Sequence, residues 1–284
     1  MRKKSVFLGN CQSAGIIPIL NKSDEFRDMY DVQTYDNYMI LRNEVCAPID
    51  FIKHCDLFIY QPLSPAHGCY STDPGITDSI GSIIKDDCIK ISFPYTYCSS
   101  LWPIFQSGHN SNRWFGWEPI HKLRNMGIPD GEIIDLYRNN QIDWEYENRF
   151  VETMKILEEK ESITDIKISK FIKDRISTDL TFLIPQHPTS TVFLEITSQI
   201  HDKLFGKKLD SSFLGEDNEG GLEDSTYGRP DCRFPIHRSA SDFYKFEFLQ
   251  ESPGADEFYL NRLTEYLSRN TGLSTPEPIE IKNL

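Results

Sequence analysis

The 284-residue sequence has no long hydrophobic run. Nothing approaches the roughly 20 apolar residues of a membrane helix, so no integral membrane segment is expected. The basic opening Met1-Arg2-Lys3-Lys4 leads only into Val6-Phe7-Leu8, too short an apolar stretch for a signal-peptide core. Basic charge is scarce: 30 Lys and Arg stand against 43 Asp and Glu, a formal net charge of -13. That balance argues against a nucleic-acid partner or a basic membrane anchor. Zinc-like ligand spacing is missing too. The seven cysteines, at 11, 46, 55, 69, 88, 98 and 232, are irregularly spaced and form no CxxC, so no metal is expected. Several lie in apolar runs such as Cys88-Ile89-Lys90-Ile91. Most are read as reduced, buried thiols of a cytoplasmic protein. There is no internal repeat. What is present is a globular composition, 39% hydrophobic and 12% aromatic.

The pattern along the chain is α/β. Apolar runs at Val6–Leu8, Asp31–Tyr35, Asp56–Tyr60 and Cys88–Phe93 read as strands. Helices are expected near Asn43–Cys55 and Ile76–Ile84. An alternation at roughly 30 residues is the rhythm of right-handed βαβ units on a mostly parallel sheet. The rhythm breaks at Leu101–Trp117, which is loop-like. Short helices are expected at Glu118–Arg124 and Asp130–Tyr137. Tyr146, Phe150, Met154 and Leu157 mark a clear helix, and Thr164 is read as the N-cap of the next. The sheet is expected to resume at Leu180–Ile184, followed by a helix over Ser190–Phe205. A last amphipathic helix is expected over Ala255–Arg269, before a tail from Ser274. The expected organisation is a single α/β domain, 1–284. Its core spans about 1–110 and 178–205, with a helical insertion about 111–177 over the sheet's carboxyl end and a C-terminal extension about 206–284.

In open α/β sheets ligands bind beyond the carboxyl ends of strands. Three polar groups fall there: Gly9-Asn10-Cys11-Gln12, Gln61 with Ser64, and His187. Cys11 precedes a small-residue helix start, where partial positive charge favours a thiolate or holds a phosphate. It is a nucleophile or a small buried turn residue, and its polar neighbours favour the first. His187, between Pro185 and Pro188, is a base for it or a loop imidazole bonded to backbone. Asn10, Gln12 and Gln61 offer amide donors for an oxyanion, and Ser64 a hydroxyl for substrate.

Val6-Phe7-Leu8-Gly9-Asn10-Cys11-Gln12, the Gln61-Pro62-Leu63-Ser64 strand end and His187-Pro188 before a helix resemble the WcbI family of capsule-polysaccharide biosynthesis proteins. The resemblance runs in motif order over about Lys3 to Phe205. It implies a three-layer αβα core, SGNH-hydrolase or flavodoxin-like, with Cys11 where SGNH hydrolases carry the nucleophile serine and His187 as the late histidine. SGNH hydrolases usually place an aspartate three residues before that histidine. Here the position is Ile184, so a Cys–His dyad is implied rather than a triad. No Gly-x-Asn-Asp block is present, and Gln61 is the nearest substitute for its amide.

The resemblance also implies binding of coenzyme A or acetyl-coenzyme A, and acetyl transfer to a sugar hydroxyl of a surface or capsular polysaccharide. Its phosphates would need Arg or Lys donors. Arg113, Arg233, His237 and Arg238 are the chosen candidates, with Gly9 for close backbone approach. Lys122, Arg124 and Arg149 are further candidates. Two other functions compete: a thioesterase or carbohydrate esterase using the same dyad, and a non-catalytic coenzyme A or glycan-binding protein. The sequence leaves a homo-oligomer open.

Overall fold

The structure is a computed structural model and describes residues 2–42, 47–106, 114–115, 117–214, 233–248 and 252–269. In chain order the elements are β1 (Lys3–Gly9), α1 (Ser13–Lys22), α2 (Asp24–Met29), β2 (Tyr30–Asp36), α3 (Asn37–Leu41), α4 (Ile49–Lys53), β3 (Leu57–Tyr60), α5 (Ile80–Ile83) and β4 (Ile89–Ser92). Next come β5 (Phe105–Gln106), β6 (Trp114–Phe115), α6 (Glu118–Asn125), α7 (Asp130–Arg138), α8 (Tyr146–Glu161) and α9 (Ser169–Arg175). The chain continues through β7 (Phe182–Ile184), β8 (His187–Pro188), α10 (Ser190–Phe205), α11 (Arg238–Tyr244) and α12 (Ala255–Arg269).

The main sheet has the order β2-β1-β3-β4 and every pairing in it is parallel. Parallel neighbours need crossover helices, which cover both faces of the sheet. The sequence obeys this: Val6, Phe7 and Leu8 of β1 and Leu57, Phe58 and Ile59 of β3 are all buried, whichever face they point to. Val6, Leu8 and Phe58 join Ile40, Ile52, Ile80 and Ile84 in one apolar cluster. Helices α1 and α10 pack against each other, and Gly15 is what lets them. A Cβ there would meet the Phe193 ring at 2.1 Å. The α/β expectation, a parallel sheet flanked by helices, therefore holds.

Packing divides the chain into two units, Met1–Cys98 with Val151–Arg233 and Ser99–Phe150 with Phe234–Leu284. Within the first unit, Asp165 fixes the end of β4. Its carboxylate accepts from the Ser92 N–H at 2.8 Å and hydroxyl at 2.7 Å, while the Asp165 and Ile166 N–H groups donate to the Ser92 carbonyl. This ties the segment after α8 to the end of β4. It also corrects one strand. Ser92 has given both backbone groups that a fifth strand would use there, and Leu180–Ile184 does not extend the main sheet. Its β7 instead pairs antiparallel with β8 across the Pro185-Gln186 turn.

Smaller differences have local causes. The helix expected over Ile76–Ile84 is only α5, because Ser79 caps it by accepting from the Ser82 N–H. Thr164 caps no helix; its hydroxyl donates to the Ile166 carbonyl, and α9 starts after Ile168. The buried Glu161 carboxylate takes the Ser169 N–H at 2.6 Å and also bonds the Ile168 N–H. The 43–46 part of the helix expected near Asn43–Cys55, and the tail from 274, lie outside the described residues.

The second unit is held by aromatic and polar contacts. Trp117 stacks on Tyr266 with ring centroids 3.9 Å apart. Arg149 donates to the carbonyls of Ser99, Trp102, Pro103 and Trp144. Arg124 grips Asp130 through two nitrogens. Among the described residues no helix is long and apolar enough to cross a membrane.

Candidate active site

Order β2-β1-β3-β4 reverses direction between β1 and β3. In sheets of this kind that switch point opens a crevice beyond the strand ends. Cys11 lies two residues after β1 and Gln61 one residue after β3. The ladder continues into this region, with the Gln61 N–H on the Leu8 carbonyl at 2.9 Å. The Gln61 side chain then reaches back, and its Oε1 accepts from the Asn10 N–H at 2.9 Å. Gly9 permits this approach, since a Cβ there would lie 2.9 Å from the Phe7 ring, 3.2 Å from Phe93 and 3.5 Å from Gln61 Oε1.

Cys11 sits where the chain turns into α1. The Ser13 N–H donates to the Asn10 carbonyl at 3.0 Å and the Ala14 N–H to the Cys11 carbonyl at 3.1 Å. Asn10 Oδ1 accepts from the Gln12 N–H at 3.0 Å, which closes the turn. Cys11 is half-buried, and none of the five described cysteines is in a disulfide.

Gln12 is the centre of the arrangement and is fully buried. Its Nε2 donates to the Thr96 carbonyl at 2.6 Å and to the Gln186 carbonyl at 3.2 Å. Its Oε1 accepts from the Thr96 N–H and from Gln61 Nε2, each at 3.3 Å. One side chain thus joins the ends of β1, β3 and β4 to the turn that carries His187. Gln186 is the residue before His187, and Gln12 the residue after Cys11. A further bond, from the Cys98 N–H to the Pro185 carbonyl at 2.8 Å, fastens the same turn to the segment after β4. Across the β7–β8 ladder, His187 faces Ile184. The position where a triad aspartate was looked for is therefore the histidine's own apolar neighbour.

Other expected residues have different surroundings. Ser64 opens a short 3₁₀ turn, and its hydroxyl pairs with His67 Nδ1 at 3.2 Å. The amide donors expected for an oxyanion are largely committed: both Gln12 Nε2 hydrogens go to carbonyls, and Gln61 Nε2 goes to Gln12. Asn10 Nδ2 makes no hydrogen bond among the described residues. Arg113 lies outside the described residues. Arg233 is half-buried at the end of the first unit.

His237 and Arg238 belong to the second unit. His237 is buried and caps α11, with Nδ1 accepting from Ser239 and Nε2 2.9 Å from Asp256 Oδ1. With no exposed surface, it is a structural cap rather than a phosphate ligand. Arg238 donates to the Arg138 carbonyl at 2.9 Å and lies 3.6 Å from Asp256. Lys122 is paired with Glu145.

Thr96, Gln186, Tyr95 and Tyr38 were missed in the sequence. For Tyr95 and Thr96 a signal existed: they follow β4 and Pro94 as Gln61 follows β3. The Tyr38 phenol is pushed up by burial, then by the Asp36 charge and hydrogen bond, and also by Cys11. Tyr95 is pushed up by burial, then by the charges of Cys11 and Tyr97. Both rings thus lie within electrostatic range of the Cys11 sulfur.

No curated protein matches the chain. A solved structure of WcbI, a polysaccharide biosynthesis enzyme, has the same fold, with a TM-score of 0.68 and 16% sequence identity. The match covers 95% of this chain and 91% of that one. That structure is described as the native protein without a disulfide bond between coenzyme A and one of its cysteines. The family model for the polysaccharide biosynthesis enzyme WcbI matches residues 4–206, a span that includes Cys11, Gln12, Gln61, Thr96 and His187, and the chain belongs to that family.

Proposed function

We propose that this enzyme moves an acyl group, acetyl first among them, from a coenzyme A thioester to a sugar hydroxyl of a surface or capsular polysaccharide. Cys11 is the nucleophile and His187 the acid–base, on an SGNH-like core. The carrying observation is the Gln12 side chain, whose amide holds the His187 turn against the Cys11 turn. Two further points support it. The family is one of polysaccharide biosynthesis enzymes. The solved WcbI structure is described in terms of coenzyme A and a cysteine.

The steps follow from the residues. His187 takes the Cys11 proton, and the N-terminal end of α1 favours an anion beside it. The thiolate attacks the thioester carbonyl, and coenzyme A leaves as its thiol with the proton from His187. A sugar hydroxyl then attacks the acyl-Cys11 carbonyl while His187 takes its proton, and Cys11 leaves as thiolate. Ile184 supplies no carboxylate, so the dyad works without a third acidic member from that position. Arg233 remains our candidate for a coenzyme A phosphate. The cytosol, where thiols stay reduced, suits this chemistry.

The test is an intact-mass experiment with acetyl-coenzyme A, with and without polysaccharide acceptor. An acetyl adduct present in the wild type and lost in Cys11→Ala is the expected result. Release of coenzyme A at the same rate without acceptor would make the protein a thioesterase. Failure to bind coenzyme A at all would sink both.

A further inference from the structure

A thioester carbonyl attacked by sulfur becomes an oxyanion, and that oxyanion needs donors. Most donors around Cys11 are already committed, with Asn10 Nδ2 and the second Gln61 Nε2 hydrogen as exceptions on side-chain amides. The Gln12 N–H goes to Asn10, the Gln12 amide to two carbonyls and the Gln61 amide to Gln12. The Ser13 hydroxyl goes to Asp36 Oδ1 at 3.3 Å. The Thr96 hydroxyl goes to the Pro94 carbonyl at 3.3 Å. Of the two phenols in electrostatic range of Cys11, Tyr38 donates to Asp36 Oδ2 at 3.2 Å. The other, Tyr95, makes no hydrogen bond through its hydroxyl among the described residues and is only half-buried.

Tyr95 is also anchored through its neighbour in the chain. The next residue, Thr96, is bonded to the Gln12 side chain through both its N–H and its carbonyl. The Tyr95 backbone is therefore held close to the turn that carries Cys11. The Lys160 ammonium lies over the Tyr95 ring, 4.7 Å from its centroid. A cation on the ring face withdraws electron density and makes the phenol a stronger donor. Lys160 has no ion pair among the described residues. Burial lowers its pKa, and no neighbouring charge offsets that. Burial and the neighbouring charges also keep the Tyr95 phenol protonated, so it stays a donor.

We propose that Tyr95 is a further catalytic residue of the Cys11 site, its O–H donating a hydrogen bond to the oxyanion, with Lys160 as the positioning residue on its ring. This rests on the acyl-transfer reading given above. In the step concerned, a bond forms between Cys11 Sγ and the carbonyl carbon, and the C=O π pair moves onto oxygen. Tyr95 stabilises that oxygen and keeps its own proton. The pair then re-forms the carbonyl, the bond to the coenzyme A sulfur breaks, and His187 protonates that sulfur.

The test uses the full-length wild type and Tyr95→Phe, which keeps the ring and the Lys160 contact and removes only the hydroxyl. Two rates at Cys11 are measured by intact mass: acetylation by acetyl-coenzyme A, which passes through an oxyanion, and alkylation by iodoacetamide, which does not. Acetylation is expected to fall about 100-fold, the usual size of losing one oxyanion donor, with half-saturation and alkylation unchanged. Lys160→Met keeps the hydroxyl and is expected to slow acetylation by a smaller factor, again sparing alkylation; it also stands in if Tyr95→Phe lowers the melting temperature. Equal acetylation rates in wild type and Tyr95→Phe overturn this proposal alone. Acetylation and alkylation falling together also overturn it, because Tyr95 would then act on the thiol. A wild type that is alkylated but never acetylated defeats the acyl-transfer reading, and this proposal with it.

Discussion

Replacing Gln12 tests the junction on which the site depends. The side chain is fully buried and holds four bonds, two as donor and two as acceptor. Gln12→Met keeps nearly the same volume and removes all four. The carbonyls of Thr96 and Gln186, the Thr96 N–H and the Gln61 amide then lose a partner. Each buried polar group left unpaired costs roughly 1–3 kcal/mol. A simple sum overstates the loss, since the Gln61 amide can re-aim and a water can enter. About 3–5 kcal/mol is the expected cost, a large share of a typical 5–15 kcal/mol of stability. Urea unfolding followed by circular dichroism measures it. Gln12→Ala is expected to cost somewhat more, because it adds a cavity to the same lost bonds. The functional consequence is separable at low temperature, where both variants are folded: acylation of Cys11 should fall while iodoacetamide still reaches it. A cost below about 1 kcal/mol for Gln12→Met, with acylation intact, would falsify the claim that this side chain binds the two turns together.

Two further outcomes are expected. Gly15→Ala puts a Cβ 2.1 Å from the Phe193 ring, so α1 and α10 must part; a loss of roughly 1–3 kcal/mol should follow, and Phe193→Leu in the same chain should recover part of it. His237 is held neutral by burial, its pKa lowered from 6.5 to about 4. The unfolded chain therefore binds more protons than the folded one between those values, and stability present above pH 6.5 is lost as pH falls towards 4. Urea midpoints across that window should drop in the wild type. They should drop less in His237→Asn, which can still accept the Ser239 N–H; equal slopes would show that another group carries the effect.

Sequence legibility followed locality. The Val6–Leu8 and Asp56–Tyr60 runs announced central parallel strands because both faces of such strands must be apolar. Cys11 was legible as a strand-end residue for the same reason. Leu180–Ile184 had the same apolar composition and was read the same way. Its position was decided by Asp165, 73 residues from the Ser92 whose backbone groups it occupies. His237 shows the reverse error. A cluster of Arg and His looks like a phosphate site in one dimension, but burial turns its imidazole into a helix cap.

By itself the sequence determined the α/β pattern, the polar turn Asn10-Cys11-Gln12 at the first strand end and the histidine turn at 187. These are encoded in neighbouring residues: hydrophobic period, proline stops and small residues at a helix start. Only the tertiary structure decided that Gln12 ties the two turns together, that its own side-chain donors and one of Gln61's are thereby committed, and that Tyr95, in electrostatic range of Cys11, has a hydroxyl with no hydrogen bond among the described residues. The physical reason is that hydrogen-bond satisfaction is a property of the packed interior. Whether an amide is a donor for substrate or a strut between strands depends on which carbonyl folding brings within 3 Å of it, and no local pattern records that.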